Sequence, residues 1–278
     1  MLQFLVRYLP IGYPLQCRHL LHLTFLLSTI CASTASRAEE LTLAVAANFI
    51  NVAKQLATEF EAGSDHQVTI AVGSTGAHYA QINHGAPFDI FFAADAATPK
   101  RLEDEQRIVS GSRFTYAYGQ LALWQPLAAR DAGDGPTPAA PVQPAFIRKV
   151  LTDTSFAHLA IANPRLAPYG LAAEQALIHL GLLDAFKGKI VRGESVGQTF
   201  QFIHSGAAPL GFVSLSQIIG LPRHARGNYW LVPQALYAPI EQQAVLLTEK
   251  KAAQAFLAFV RSDAGRKIIE ANGYSAAD

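Results

Sequence analysis

Cysteine is nearly missing from this chain: of 278 residues only Cys17 and Cys31 carry a thiol, and both fall within the first 38. From residue 39 onward, disulfides, cysteine metal sites and thiol nucleophiles are therefore excluded. Methionine occurs once, at position 1, and tryptophan twice. Charge is sparse at 15%, with 22 basic and 21 acidic residues and no block of one sign. Without a basic stripe, an ordinary nucleic-acid surface is excluded. So little charge beside 50% hydrophobic residues, at a mean hydropathy of +0.18, excludes a disordered chain.

What is present begins with a leader. Arg7 and Arg18 precede the apolar run Leu20–Ala32, and small residues follow to Ala38. This is the three-part pattern of a secretory signal, and the run is shorter than the roughly 20 residues of a membrane span. Residues 1–38 are thus expected to be a signal peptide, cut after Ser36-Arg37-Ala38 or, as second choice, after Ser33-Thr34-Ala35. Losing Arg7, Arg18 and Arg37 leaves 19 basic residues against 21 acidic, a mature net charge of −2.

Beyond the leader, strand-like and helix-like stretches alternate. Strands are expected at 41–46, 68–72, 89–94, 121–124, 159–162, 190–191, 210–213, 229–232 and 243–247. Phe49, Val52, Ala53, Leu56 and Phe60 follow helical spacing, which predicts a helix over 49–61. Further helices are expected from Thr75, after an Asp95 cap and through Pro99, and at 146–152, 171–181, 197–204, 250–260 and 263–271. Residues 125–145, rich in Ala, Pro, Gly and Asp, read as a surface loop. No internal repeat is visible. Alternation of this kind, restarting once, predicts α/β architecture with doubly wound sheets.

Ligands in such sheets bind beyond the carboxyl ends of strands, where loops meet helix starts. Four loops qualify: Ala46-Ala47-Asn48-Phe49, Gly73-Ser74-Thr75-Gly76, Asn163–Gly170 and Gly193-Glu194-Ser195-Val196-Gly197. Taken singly, each is an ordinary cap or turn. Converging, four helix starts would offer unpaired N–H groups and on the order of +2 of charge with no lysine or arginine. Such a cavity suits a small divalent oxyanion, with hydroxyls from Ser74, Thr75 and Tyr169.

The segments AVAANF (44–49), GSTGAHYAQINHGAPFDIFFAAD (73–95), IANPRLAPYG (161–170) and APLGFVSLSQ (208–217) resemble the periplasmic molybdate-binding proteins of ABC importers. The resemblance runs in order over most of 39–278. It implies a two-lobe type II periplasmic binding protein fold, each lobe a sheet flanked by helices, with the ligand in the interlobe cleft. It places lobe 1 at 39–122 plus 240–278 and lobe 2 at 123–239. It further implies capture of molybdate or tungstate by neutral donors, no cofactor, no catalysis, a membrane permease as partner and a periplasmic location. Carried across by position, the ligand-binding set is Asn48, Ser74, Thr75, Tyr169 and the backbone N–H of Val196. Some relatives instead place a ligand tyrosine where Ser214 stands, so here Tyr169 is expected to compensate. A monomer is the default expectation.

The same residues admit other readings. Gly193-Glu194-Ser195-Val196-Gly197 is a literal G-x-S-x-G, but an esterase needs an acid and then a histidine after the serine. No Asp or Glu lies between Ser195 and His224, so a hydrolase using Ser195 fails on order. The histidines show no metal-ligand spacing, and no nucleotide-binding loop is present. A binding protein of the same fold for sulfate or another small anion is the nearer rival. Arg165 is the only basic residue inside the four loops, and Glu194 is expected to face solvent.

Overall fold

Strands form where apolar residues run together, and helices where they recur every third or fourth position. A computed structural model describes residues 38–126, 143–152 and 156–275. The expected signal peptide, apart from Ala38, and most of the 125–145 loop lie outside the described residues.

The first half begins with β1 (Glu40–Ala46), a single 3-10 turn at Ala47–Phe49 and α1 (Ile50–Ala62). Then come β2 (Gln67–Gly73), α2 (Thr75–Asn83), β3 (Ile90–Phe92), α3 (Ala97–Asp104) and β4 (Phe114–Gly119). The second half holds β5 (Leu121–Gln125), α4 (Pro144–Thr152), β6 (Leu159–Ala162), α5 (Pro168–His179) and β7 (Ile190–Gly193). It continues through α6 (Val196–His204), β8 (Gly211–Ser214), α7 (Leu215–Ile219) and β9 (Asn228–Leu231). The chain ends its described course with β10 (Ile240–Leu246), α8 (Lys251–Arg261) and α9 (Asp263–Ala271).

Two five-stranded sheets result, ordered β2-β1-β3-β10-β4 and β7-β6-β8-β5-β9. The α/β architecture read from sequence is therefore present, in two sheets each flanked by helices. In the first sheet β1 runs parallel to β2 and β3, while β10 is antiparallel to β3 and β4. In the second, β6 runs parallel to β7 and β8, and β5 is antiparallel to β8 and β9. Register sets the working end of each sheet: Ala46 lies opposite Gly73, and Ala162 opposite Gly193. The loops expected to hold a ligand thus leave the sheets side by side.

Several boundaries differ from the sequence reading. Strand β4 was not expected, because Phe114–Gly119 mixes Thr, Tyr and Gly and lacks an apolar run. Helix α5 starts three residues early, at Pro168, whose fixed backbone and missing N–H suit a first turn. Leu121 and Ala122, placed with lobe 1 on sequence grounds, pair with Ser214 and Val213 in the second sheet. Asp95 does accept the Thr98 N–H, at 2.8 Å, ahead of α3.

Phe49 is the hub of the first core. Its ring lies 5.5 Å from Phe92, 4.6 Å from Tyr116 and 5.6 Å from Tyr274. Burying such a ring contributes about 1.5–3 kcal/mol. The second core gathers Trp124, Ile161, Leu177 and Phe212, and it also takes in Ala46, Ala47 and Ala94 from loops of the first sheet. The two halves are therefore packed together at their loop ends.

Candidate oxyanion site

Small residues bring the four loops within reach of one another. A methyl group added to Gly76, at the start of α2, would meet the Leu166 backbone, with its Cα at 3.1 Å and its carbonyl oxygen at 3.2 Å. The Gly76 N–H donates to that same Leu166 carbonyl at 2.9 Å, tying loop two to loop three. On the other side, a methyl on Gly197 would sit 3.0 Å from Ala47 Cβ, which brings loop four against loop one.

Ser74 and Ser195 are matching N-caps. Each has an extended backbone, and each hydroxyl oxygen accepts the N–H three residues on, from Ala77 at 3.3 Å and from Gln198 at 3.2 Å. Among the described residues no histidine hydrogen-bonds Ser195, so it has the partners of a cap and not of a nucleophile. Thr75 is buried, and its Oγ1 accepts the Ala94 N–H at 3.0 Å. Its own hydroxyl hydrogen has no acceptor among the described residues. The same holds for the N–H groups of Val196 and Gly197, in the first turn of α6, where helices lack internal acceptors.

Tyr169 lies in the first turn of α5 and is 1% exposed. Its hydroxyl oxygen accepts from Ser214 Oγ and from Gln242 Nε2, both at 3.1 Å. Burial pushes its pKa well above the usual phenol value, so it stays a neutral O–H group. Ser214, the position where some relatives carry a ligand tyrosine, supports Tyr169 from the side and meets Ser216 Oγ at 2.7 Å. Val196 is linked to the same network, because its carbonyl accepts from Gln217 Nε2 at 3.2 Å while Gln217 Oε1 accepts the Ser214 N–H at 3.1 Å.

The Asn48 side-chain amide is engaged inside the protein. Nδ2 donates to Gln242 Oε1 at 2.8 Å and to the Tyr274 hydroxyl at 3.0 Å, so both of its hydrogens are engaged inside the protein. Oδ1 is buried without a donor. The Asn48 carbonyl accepts from Ser216 Oγ and Tyr274 Oη, each at 2.8 Å. Its remaining donor is the backbone N–H, in the first turn of the helical run 47–62.

Asp95, half-buried beside Ala94 and near Tyr116, has its carboxyl pKa raised by burial. Among the described residues the buried groups that can carry charge, tyrosines apart, are His78 and Asp89. Burial lowers the His78 pKa, which favours the uncharged ring, and Nε2 donates to the Val45 carbonyl at 3.1 Å. Asp89 sits at the opposite end of the first sheet, ahead of β3, and meets Lys250 Nζ at 3.0 Å. Arg165 and Glu194 are both exposed.

Sequence reasoning missed Tyr116, Ser216, Gln242 and Tyr274, which form the floor beneath the loops. One signal was available: two adjacent glutamines, Gln242 and Gln243, begin the otherwise apolar run that ends at Leu247. The strand begins three residues ahead of the expected Gln243, at Ile240.

Known proteins share this fold and much of this sequence. The family described as bacterial extracellular solute-binding protein matches residues 41–275. The chain is 44% identical over 245 residues to the molybdate-binding protein ModA of Azotobacter vinelandii, covering 86% of this chain and 91% of that one. It is 41% identical over 240 residues to ModA of Rhodobacter capsulatus, covering 85% and 88%. The solved A. vinelandii periplasmic molybdate-binding protein matches with a TM-score of 0.75 at 40% identity, over 86% of this chain and 100% of that one. The sulfate-binding protein SubI of Mycobacterium tuberculosis shares the fold alone, at a TM-score of 0.64 and 13% identity, over 87% of this chain and 88% of that one.

Proposed function

We propose a capture role for this chain, which belongs to the bacterial extracellular solute-binding protein family: it binds molybdate or tungstate in the periplasm and hands it to the permease of an ABC importer. One observation carries the reading. Among the described residues, the Thr75 and Tyr169 hydroxyl hydrogens and the Val196 and Gly197 N–H groups have no acceptor, and no lysine or arginine is buried. Unpaired donors and aligned helix dipoles suit a tetrahedral dianion without any cation.

The site residues follow from this. Ser74 and Thr75 in loop two and the Asn48 backbone in loop one receive the anion first. Closure then brings the Tyr169 hydroxyl and the Val196 N–H onto its remaining oxygens. The anion's higher affinity for the closed state drives that closure. Chemistry of this kind needs no catalytic group. Residues 1–38 supply export, and the mature protein acts as a monomer.

Hydrogen phosphate carries an O–H that needs an acceptor, and a donor-lined cavity leaves it unpaired at a cost of about 1–3 kcal/mol. A specific observation favours the opposite preference: Asn48 Oδ1 is a buried acceptor without a donor, which a protonated oxyanion could supply. A thermal-shift panel of molybdate, tungstate, sulfate, phosphate and chromate separates the two. At a hundredfold excess over Kd, the preferred ion should add about 2.7 kcal/mol and raise the Tm by about 5–10 °C. Molybdate and tungstate are expected to do so. A phosphate shift equal to that of molybdate overturns the donor-only cavity.

A further inference from the structure

Gln242 is fully buried on β10, the strand that returns to the first sheet after the chain has completed the second. Its side chain touches neither loop two nor loop four, yet it joins the other two. Oε1 accepts from Asn48 Nδ2 in loop one and from the Tyr116 hydroxyl, both at 2.8 Å. Nε2 donates to the Tyr169 hydroxyl in loop three at 3.1 Å. We propose that Gln242 is a positioning residue of the anion site, holding Asn48 and Tyr169 from below so that the Tyr169 hydroxyl hydrogen is left for the ligand. The inference rests on the oxyanion reading above and deepens it.

The Gln242 atom that meets Tyr169 is Nε2, a donor, so Tyr169 cannot turn its hydrogen onto it. Oε1 faces Asn48 Nδ2 and the Tyr116 hydroxyl, which also lies 3.1 Å from the Ala93 carbonyl. The phenol oxygen in turn accepts from Gln242 Nε2 and Ser214 Oγ. With its oxygen accepting from two sides, the Tyr169 hydroxyl hydrogen has no acceptor among the described residues. The Gln242 amide thereby makes the tyrosine a donor by elimination.

Two features of the backbone are shaped to this bond. The β10–β4 register slips between Gln242 and Gln243, a bulge of the kind that re-aims a side chain. Gln242 reaches toward Asn48 and Tyr169, while Gln243 joins Thr115, Glu241 and Arg113. Next to it, Gly119 on β4 carries no side chain at the position where a methyl would run into both Tyr169 Oη and Gln242 Nε2. Space is kept for that one contact.

The test is a calorimetric titration of molybdate into the mature protein, in four forms: wild type, Gln242→Met, Tyr169→Phe and the double variant. Gln242→Met is expected to weaken binding about 10-fold in the wild-type background but by less than about 2-fold when Tyr169 is Phe, because the hydrogen it aims is gone. Gly119→Ala provides a second variant, with a loss of the same order expected. An equal penalty in both backgrounds, or none, overturns the proposal. A wild type that binds neither molybdate nor tungstate overturns the oxyanion reading instead. The floor is then judged by side-chain amide NMR of the ligand-free wild type. Slow hydrogen exchange at Asn48 and Gln242 is expected there, and fast exchange overturns the network.

Discussion

In the first sheet β1 is flanked by β2 and β3, with the late strand β10 inserted before β4; in the second, β6 is flanked by β7 and β8, with the early strand β5 inserted before β9. Each half thus borrows one antiparallel strand from the stretch of chain beside the other half. The tips match as well. Ser74-Thr75-Gly76 and Ser195-Val196-Gly197 occupy equivalent places after the edge strands β2 and β7, each opening with a serine cap. Each glycine abuts the first loop of the opposite half, Gly76 against Leu166 and Gly197 against Ala47. The chemistry is not repeated. Thr75 offers a hydroxyl where Val196 offers only its N–H, and Tyr169 offers a phenol where Asn48 has its side-chain N–H groups engaged inside. Backbone symmetry supplies the shape of the cavity, and side-chain asymmetry supplies its donors.

Breaking the shape should cost most. Gly76→Val places a side chain against the Leu166 backbone and holds loops two and three apart. Losing two hydrogen bonds to a charged ligand costs about 3–6 kcal/mol, a loss of affinity of about 100-fold or more. Calorimetry with molybdate checks this, and the ligand-free Tm should stay within about 3 °C, since one exposed-cleft contact is worth under about 1 kcal/mol. At Gly197 a Cβ meets side chains and not backbone, Ala47 Cβ at 3.0 Å and Ser195 Oγ at 3.5 Å, so Gly197→Val should cost less, about 10-fold. Equal losses at the two glycines would mean that the halves close alike.

Next comes the hydroxyl that differs between the halves. Thr75→Val should weaken molybdate by about 10- to 100-fold, and it leaves the buried Ala94 N–H without its acceptor at a further stability cost of about 1–3 kcal/mol. The reciprocal Val196→Thr keeps the N–H and should bind within about 3-fold of wild type. If both changes weaken binding equally, the asymmetry has been misread. Tyr169→Phe alone should cost about 0.5–3 kcal/mol of binding, measured in the same titration.

How much of this was legible in the sequence follows the same division. The loops were readable because each joins an apolar run to a helix through small capping residues, a local pattern that survives without tertiary information. Asn48 could be placed at a loop tip, but not the direction of its amide, since that is decided by Gln242 and Tyr274, more than 190 residues away in the chain. Strand β4 and the start of β10 were missed because their residues face a polar floor and so lack the apolar run that marks other strands. The repeat in topology left no repeat in sequence beyond a serine and a glycine per tip. Strand order depends on which edges pair, and no local spacing reports that.

The smallest effect tests whether the neutral character of the first half persists with pH. His78 lies one turn into α2, behind loop two: a methyl on Gly73 would lie 3.0 Å from its Nε2. Its ring is packed edge-on to Phe88 and Phe91, and its nitrogens meet the Val45 carbonyl and Gln81 Oε1, each at 3.1 Å. Burial lowers its pKa below the ordinary 6.5, so the unfolded chain takes up a proton that the folded one resists. The stability this group contributes is therefore complete above that value and is lost as the pH falls below it. Urea midpoints measured from about pH 7.5 down to about pH 5.5 should decline in the wild type and more shallowly in His78→Gln. The second half has no buried histidine among its described residues. A slope unchanged in His78→Gln would place the acid sensitivity elsewhere than behind loop two.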